Sequence, residues 1–187
     1  MTEEAGIRTT LDEVREVLAG ESIEITVVDD GSTDKPAALA QGLADKVIRH
    51  ATNLGKGVAM RTGIKVARGE YVIFLDAGGT YPATFIPTIV QKLKEVDAVF
   101  TYRTDREHIP LINRFGNWLI TQLIKKFSGF IGNDTLSGLY GLRRNVLEAI
   151  GLESSPFAIK TEIVVKVFLP TLFSPNLLKF CDRLGRN

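Results

Sequence analysis

In the N-terminal half of this chain, apolar residues switch between helical spacing and short unbroken runs, which predicts helices and strands in turn. Leu11, Val14 and Leu18 fall on one helical face, with Thr10 and Glu13 at capping-box spacing and Gly20 behind them. A first helix is therefore expected to start near Thr10 and stop at Gly20. Ile23–Val28 reads as a strand that ends at Asp29-Asp30-Gly31-Ser32. Asp34 is placed to cap a second helix from Pro36 to Ala44, since proline suits a first helical turn. Lys46–Arg49 reads as a short strand, and Asn53-Leu54-Gly55-Lys56-Gly57 opens a third helix that runs to about Ala67. Tyr71–Leu75 is wholly apolar and reads as a buried strand.

A helix over Phe85–Glu95 and a strand over Asp97–Tyr102 continue the series. This order predicts an α/β fold, a mostly parallel sheet flanked by helices, with ligands at the carboxyl ends of the strands. The pattern then changes. Arg103, Arg106, His108 and Arg114 precede an amphipathic stretch from Leu111 to Phe127, which Gly129 and Gly132 break. Helices are expected over Asn145–Ile150 and Thr161–Phe168. Residues 1–168 thus read as one domain, and 169–187, with Pro170 and Pro175 and no clear periodicity, as a separate tail.

Composition narrows the function classes. The chain has 187 residues, a net charge of +1 and 24% charged residues, so nothing draws it globally to nucleic acid. Cys181 is the only cysteine, which rules out an internal disulfide framework and points to a reducing, cytoplasmic setting. No run approaches the roughly 18 apolar residues of a membrane span. Met1-Thr2-Glu3-Glu4 is acidic and does not read as a secretory leader.

The candidate chemistry lies at the ends of the strands. Asp29 and Asp30 could accept hydrogen bonds from a nucleobase or ribose, or one of them could cap the turn through Gly31-Ser32. The glycine-flanked Lys56 precedes a helix N-terminus, which suits phosphate, although the spacing is not that of a Walker loop. Asp76 ends the apolar strand, where an unpaired carboxylate would be costly to bury and could hold Mg2+ or Mn2+ against a diphosphate. It could equally cap a turn. Gly78 stands where a second acid would complete an Asp-x-Asp clamp. Arg103, Arg106 and Arg114 could grip a phosphate or form a solvated basic surface. Asp134 and Glu162 are candidate acids or bases, while His50 and His108 read as surface or loop residues.

Taken in order, Val27 to Asp34, Asn53 to Gly57, Gly69 to Asp76 and Thr80-Tyr81-Pro82 resemble family 2 glycosyltransferases. Asn113 to Asn117 and Ser137 to Arg144 resemble that family's polyprenyl-phosphate branch, which includes dolichyl-phosphate mannose and glucose synthases. The resemblance covers about residues 3 to 168. It implies a GT-A, nucleotide-diphospho-sugar-binding fold and inverting transfer of a hexose from a UDP- or GDP-sugar to a polyprenyl phosphate, at the cytoplasmic face of a membrane.

By the same resemblance, Asp30 contacts the base, Asp29 supports its turn and Asp76 is the first acid of the metal motif. Arg103 and Arg114 approach the acceptor phosphate, with Arg106 beside them, and Ser137-Gly138 shapes the acceptor side. An ionised phosphate acceptor needs no strong base, whereas a hydroxyl acceptor would need one, for which Asp134 is the candidate. Glu3-Glu4 matches a turn that in this family follows a central first strand. That strand is not represented, the second metal acid is replaced by Gly78, and the tail does not match. The chain is therefore expected to be a piece or altered product of the family, with impaired transfer, or a non-catalytic nucleotide- or protein-binding relative.

Overall fold

The computed structural model of the protein describes residues 3–33, 36–79, 81–103, 122, 138–152, 159–168 and 179–184. Its elements run α1 (Glu3–Val17), β1 (Thr26–Asp29), α2 (Pro36–Ala40), β2 (Lys46–Arg49), α3 (Lys56–Val66) and β3 (Tyr71–Leu75). A 3-10 turn (Ala83–Phe85) leads into α4 (Ile86–Leu93), followed by β4 (Ala98–Arg103), β5 (Leu139–Arg143), α5 (Arg144–Ile150), α6 (Ile159–Phe168) and β6 (Lys179–Leu184).

The strands form two sheets, a parallel pair β1-β2 and a four-stranded sheet in the order β3-β5-β4-β6. β5 is antiparallel to both β3 and β4, and β4 is parallel to β6. Strands β3, β4 and β6 therefore share one direction, and only β5 is reversed. The largest core cluster joins Phe100, Tyr140 and Leu142 of the sheet to Val146 and Leu147 of α5 and Ile163 and Val167 of α6. On the other face, Val14 of α1 packs with Ile86, Ile89 and Leu93 of α4. Helices thus cover both faces, as an apolar strand such as β3 requires.

Several sequence expectations are corrected. Helix α1 begins at Glu3, not near Thr10. Its Thr10 and Glu13 do not form a cap: the Thr10 hydroxyl donates to the Ala77 carbonyl at 3.4 Å, and a Glu13 carboxylate oxygen accepts from the Ala83 amide at 2.9 Å. Both side chains reach across to the segment after β3, so tertiary contacts account for a spacing that mimics a local motif. β1 is shorter than expected, starting at Thr26, because the Ile25 amide is taken by the Asp45 carboxylate at 2.7 Å. α2 ends at Ala40 rather than Ala44. Part of the tail, Lys179–Leu184, is a strand that extends the sheet beyond β4.

Asp34 and the amphipathic stretch 111–127 lie outside the described residues, except for Gln122, which is helical. Among the described residues, no helix is long and apolar enough to cross a membrane.

Ala83 is fully buried, so its amide depends on Glu13. Replacing Glu13 with Ala should lower stability by about 1–3 kcal/mol, the cost of an unsatisfied buried donor. Urea unfolding of Glu13→Ala against Glu13→Gln, which keeps an acceptor, checks this.

Candidate functional site

Asp29 and Asp30 fall at the carboxyl end of β1 and do different work. Asp29 is buried, and its Oδ1 accepts from the Ser32 amide at 2.9 Å, closing the turn through Gly31. Its Oδ2 lies 3.2 Å from Arg49 Nε, at an angle too poor for a hydrogen bond, so the pairing there is electrostatic only. Gly31 has φ 73°, and a Cβ there would come within 2.5 Å of the Thr52 backbone. Glycine is thus required where this turn meets the 50s loop.

Asp30 holds that loop. Its oxygens accept from the Leu54 amide at 3.0 Å and the Gly55 amide at 2.7 Å, and His50 Nδ1 lies 2.7 Å away. Burial alone would raise the Asp30 carboxyl, but the His50 bond and the two amides together hold it below the usual carboxylate range. The other ring nitrogen of His50 meets the Thr62 hydroxyl of α3 at 3.0 Å. His50, the loop residue that follows β2, is half-buried and connects β1, β2 and α3 through these two contacts. The signal was positional: Asp29 pairs with Arg49 in the parallel register, so the next residues of both strands, Asp30 and His50, are neighbours.

The loop held by Asp30 leads directly into α3. Gly55, at φ 93°, is the residue before the helix, and Lys56 at its start reaches Asp76, with Nζ 2.6 Å from Oδ1. Asp76 is 39% exposed, so burial does not force it to find a partner, contrary to the sequence argument. The carboxylate is nonetheless fixed from behind. The Asp76 amide donates to the Gly138 carbonyl at 3.2 Å, and a Cβ at Gly138 would stand 2.3 Å from Asp76 Oδ2 and 2.4 Å from the Tyr81 ring. Below them lies Tyr140, stacked on Phe74 with centroids 4.8 Å apart. Burial first, and then the Asp76 carboxylate, push its phenol well above the usual range.

Asp29, Asp30, Lys56 and Asp76 are thus gathered at one end of the strands around the start of α3. Arg103 is the last residue of β4. Arg106, Arg114, Asp134 and Ser137 lie outside the described residues, as does His108. Glu162 is paired with Lys166 at 2.6 Å on α6, and the same ammonium takes the Ile150 and Gly151 carbonyls at the end of α5. Glu162 is thus engaged, through Lys166, in joining α6 to the end of α5.

Among the described residues, no group of three or more His, Cys, Asp or Glu side chains could hold a metal ion. Asp76 alone fits a divalent cation only if that ion is shared with another oxygen donor such as a diphosphate, and it must first be freed from Lys56.

Residues 1–151 match the family described as Glycosyl transferase family 2. The chain belongs to that family. It is 33% identical over 138 residues to an undecaprenyl-phosphate 4-deoxy-4-formamido-L-arabinose transferase of Shewanella sediminis, covering 70% of this chain and 41% of the relative. It is 30% identical over 165 residues to a dolichol-phosphate mannosyltransferase of Pyrococcus furiosus, covering 80% of this chain and 46% of the relative. The chain thus spans less than half the length of these curated relatives. The fold matches that of glucosyl-3-phosphoglycerate synthase of Mycobacterium tuberculosis in complex with Mn2+, UDP-glucose and glycerol 3-phosphate, with a TM-score of 0.75 and 20% identity, covering all of this chain and 69% of that one. The expected α/β, GT-A architecture holds, and the acids and lysine gathered here belong to a family of sugar transferases.

Two outcomes are expected. Gly78→Asp should strengthen Mn2+-dependent nucleotide binding in calorimetry, and equal metal-dependent affinity in both forms would show that position 78 is indifferent. Asp30 has a native carboxyl lower than its unfolded value, so its stabilisation is complete above about pH 4 and is lost as pH falls through the native value. Asp30→Asn should therefore flatten the acid limb of the stability–pH curve measured by urea unfolding.

Proposed function

We propose that this chain carries the donor-binding part of a transferase that moves a hexose from a UDP- or GDP-sugar to a polyprenyl phosphate, at the cytoplasmic face of a membrane and with peripheral contact to it. The observation that carries this reading is the Lys56–Asp76 pair at the carboxyl end of β3, one helix start away from the loop held by Asp30. The relatives named for undecaprenyl-phosphate and dolichol-phosphate transfer supply the acceptor class, and the neighbour solved with UDP-glucose and Mn2+ supplies the donor class.

In this reading the base lies against the turn after β1, beside Asp29 and Asp30, and the diphosphate lies over the N-terminus of α3, where free amides and Lys56 favour negative charge. Mg2+ or Mn2+ shared between Asp76 and the diphosphate would neutralise charge on the leaving group. With Gly78 offering no second carboxylate, Lys56 is the protein's own counter-charge there. Arg103, Arg106 and Arg114, with Ser137, are the proposed grip on the acceptor phosphate. That phosphate is already an anion near neutral pH, so positioning and charge neutralisation suffice for inverting attack. Asp134 is held in reserve as the base for a hydroxyl acceptor.

Transfer from radiolabelled UDP- and GDP-hexoses to a short polyprenyl phosphate tests this directly. Lys56→Ala should weaken nucleotide binding about ten-fold or more, on the scale of one charge-assisted contact of about 1.5–3 kcal/mol. Arg114→Ala should raise the KM for the acceptor and leave donor binding unchanged. Failure of transfer with every UDP- and GDP-sugar, together with unaltered nucleotide binding in Lys56→Ala, would overturn the assignment.

A further inference from the structure

The turn that follows Asp76 has little of its own to hold it in shape. It reads Ala77-Gly78-Gly79, all of it exposed, and Gly79 takes a φ of 70°. Glycine restricts the backbone less than any other residue, so the path of this turn is set by what touches it from outside. Position 78 adds to the demand. A second acid there would share a cation with Asp76, and the ion would tie the turn down. With Gly78 in that place, the placement of Asp76 rests on the fold.

Helix α1 makes that outside contact. Gly6 is buried, and a Cβ there would stand 3.1 Å from the Ala77 carbonyl oxygen and 3.4 Å from Gly78 Cα. The approach is so close that a larger residue at position 6 would push the turn by a few tenths of an ångström. One helical turn on, the buried Thr10 donates its hydroxyl to the same Ala77 carbonyl at 3.4 Å. Gly6 and Thr10 stand four residues apart and so share one face of the helix. Glu13 continues that face to the Ala83 amide.

The helix is anchored independently of this turn. Ile7 and Leu11 are buried with Ala40 of α2, and Val14 lies in a core cluster with Ile86 and Ile89 of α4. Towards its end, Arg15 donates to the Leu43 carbonyl at 3.1 Å and to the Asp45 carboxylate at 2.9 Å. α1 is thus the stiff support and the glycine turn the compliant partner. Glycine is also a poor helix former, so Gly6 has its value in close approach and not in the stability of α1.

We propose that Gly6 and Thr10 are positioning residues for the donor site: α1 is the template against which the 77–79 turn is seated, and through that turn it sets where Asp76 presents its carboxylate. Asp76 is bonded directly to Ala77, whose carbonyl α1 grips, and its own amide is held by the Gly138 carbonyl. Held on both sides, it keeps Oδ1 at Lys56. Gly6 and Thr10 act through Asp76 and touch neither nucleotide nor cation. The inference rests on the sugar-transfer reading for its ligand, whereas the α1 contacts stand without it.

Gly6→Ala separates placement from stability, because alanine favours the helix while its methyl group crowds the turn. Calorimetry with UDP and with GDP, each in Mn2+ and in EDTA, is read beside the urea midpoint of each variant. Gly6→Ala should weaken Mn2+-dependent nucleotide binding by about three-fold or more, since small misplacements of a binding group are costly, with its midpoint unchanged or raised. Thr10→Val should weaken binding likewise, and Thr10→Ser, which keeps the hydroxyl, should restore it. Wild-type affinity in Gly6→Ala and Thr10→Val, a loss in Gly6→Ala that tracks a lowered midpoint, or no rescue by Thr10→Ser would overturn the proposal. If neither nucleotide binds the wild-type chain, the donor reading fails, and hydrogen–deuterium exchange of the Asp76 amide decides the positioning role alone. Faster exchange there in Thr10→Val than in wild type and Thr10→Ser, with α3 unchanged, supports it, and equal exchange overturns it.

Discussion

The Asp30 carboxylate is the contact on which the candidate site depends. It takes the Leu54 and Gly55 amides and the His50 ring at once, so one side chain fixes the end of β1, the end of β2 and the start of α3 relative to each other. Lys56 follows Gly55 directly, and its reach to Asp76 has meaning only because the preceding loop is held. A carboxylate with three hydrogen-bond partners is a rigid joint. Here it converts a glycine-rich turn, which alone would be permissive, into a defined ledge at the start of α3.

Facing that ledge, the site is organised by close approach rather than by bulk. Gly138 has no room for a Cβ, since Asp76 and the Tyr81 ring stand too near, and its carbonyl receives the Asp76 amide. The motif assigned to the acceptor side from sequence is thereby in contact with the carboxylate assigned to the donor side. Two readings that were separate along the chain, some sixty residues apart, meet at one backbone hydrogen bond.

Much of this architecture was legible from residue pattern. Lys46–Arg49 and Tyr71–Leu75 form strands with the predicted bounds, because each is a short β-branched or apolar run flanked by turn residues. The misreadings have a common physical origin in long-range contacts that sequence spacing does not encode. Thr10 and Glu13 look like a cap but are committed to Ala77 and Ala83. His50 looks solitary until the β1–β2 register brings it beside Asp30. Lys179–Leu184 mixes charged and apolar residues without a clean period, and it becomes a strand through a six-residue parallel pairing with β4. Ile23 to Ile25 have the composition of β1, but the Asp45 carboxylate takes the Ile25 amide before the ladder starts.

Tyr140 has a bearing on this site that does not come from its packing. It is a buried ring, stacked between Phe74 and Phe100, whose phenol stays neutral across the physiological range. Asp76 therefore sits at a boundary between media, with water on one side and a slab of aromatic carbon on the other. Fields die quickly in the first medium and persist in the second. An anion brought beside Lys56 would consequently be screened less on the side of this ring than on the side of water.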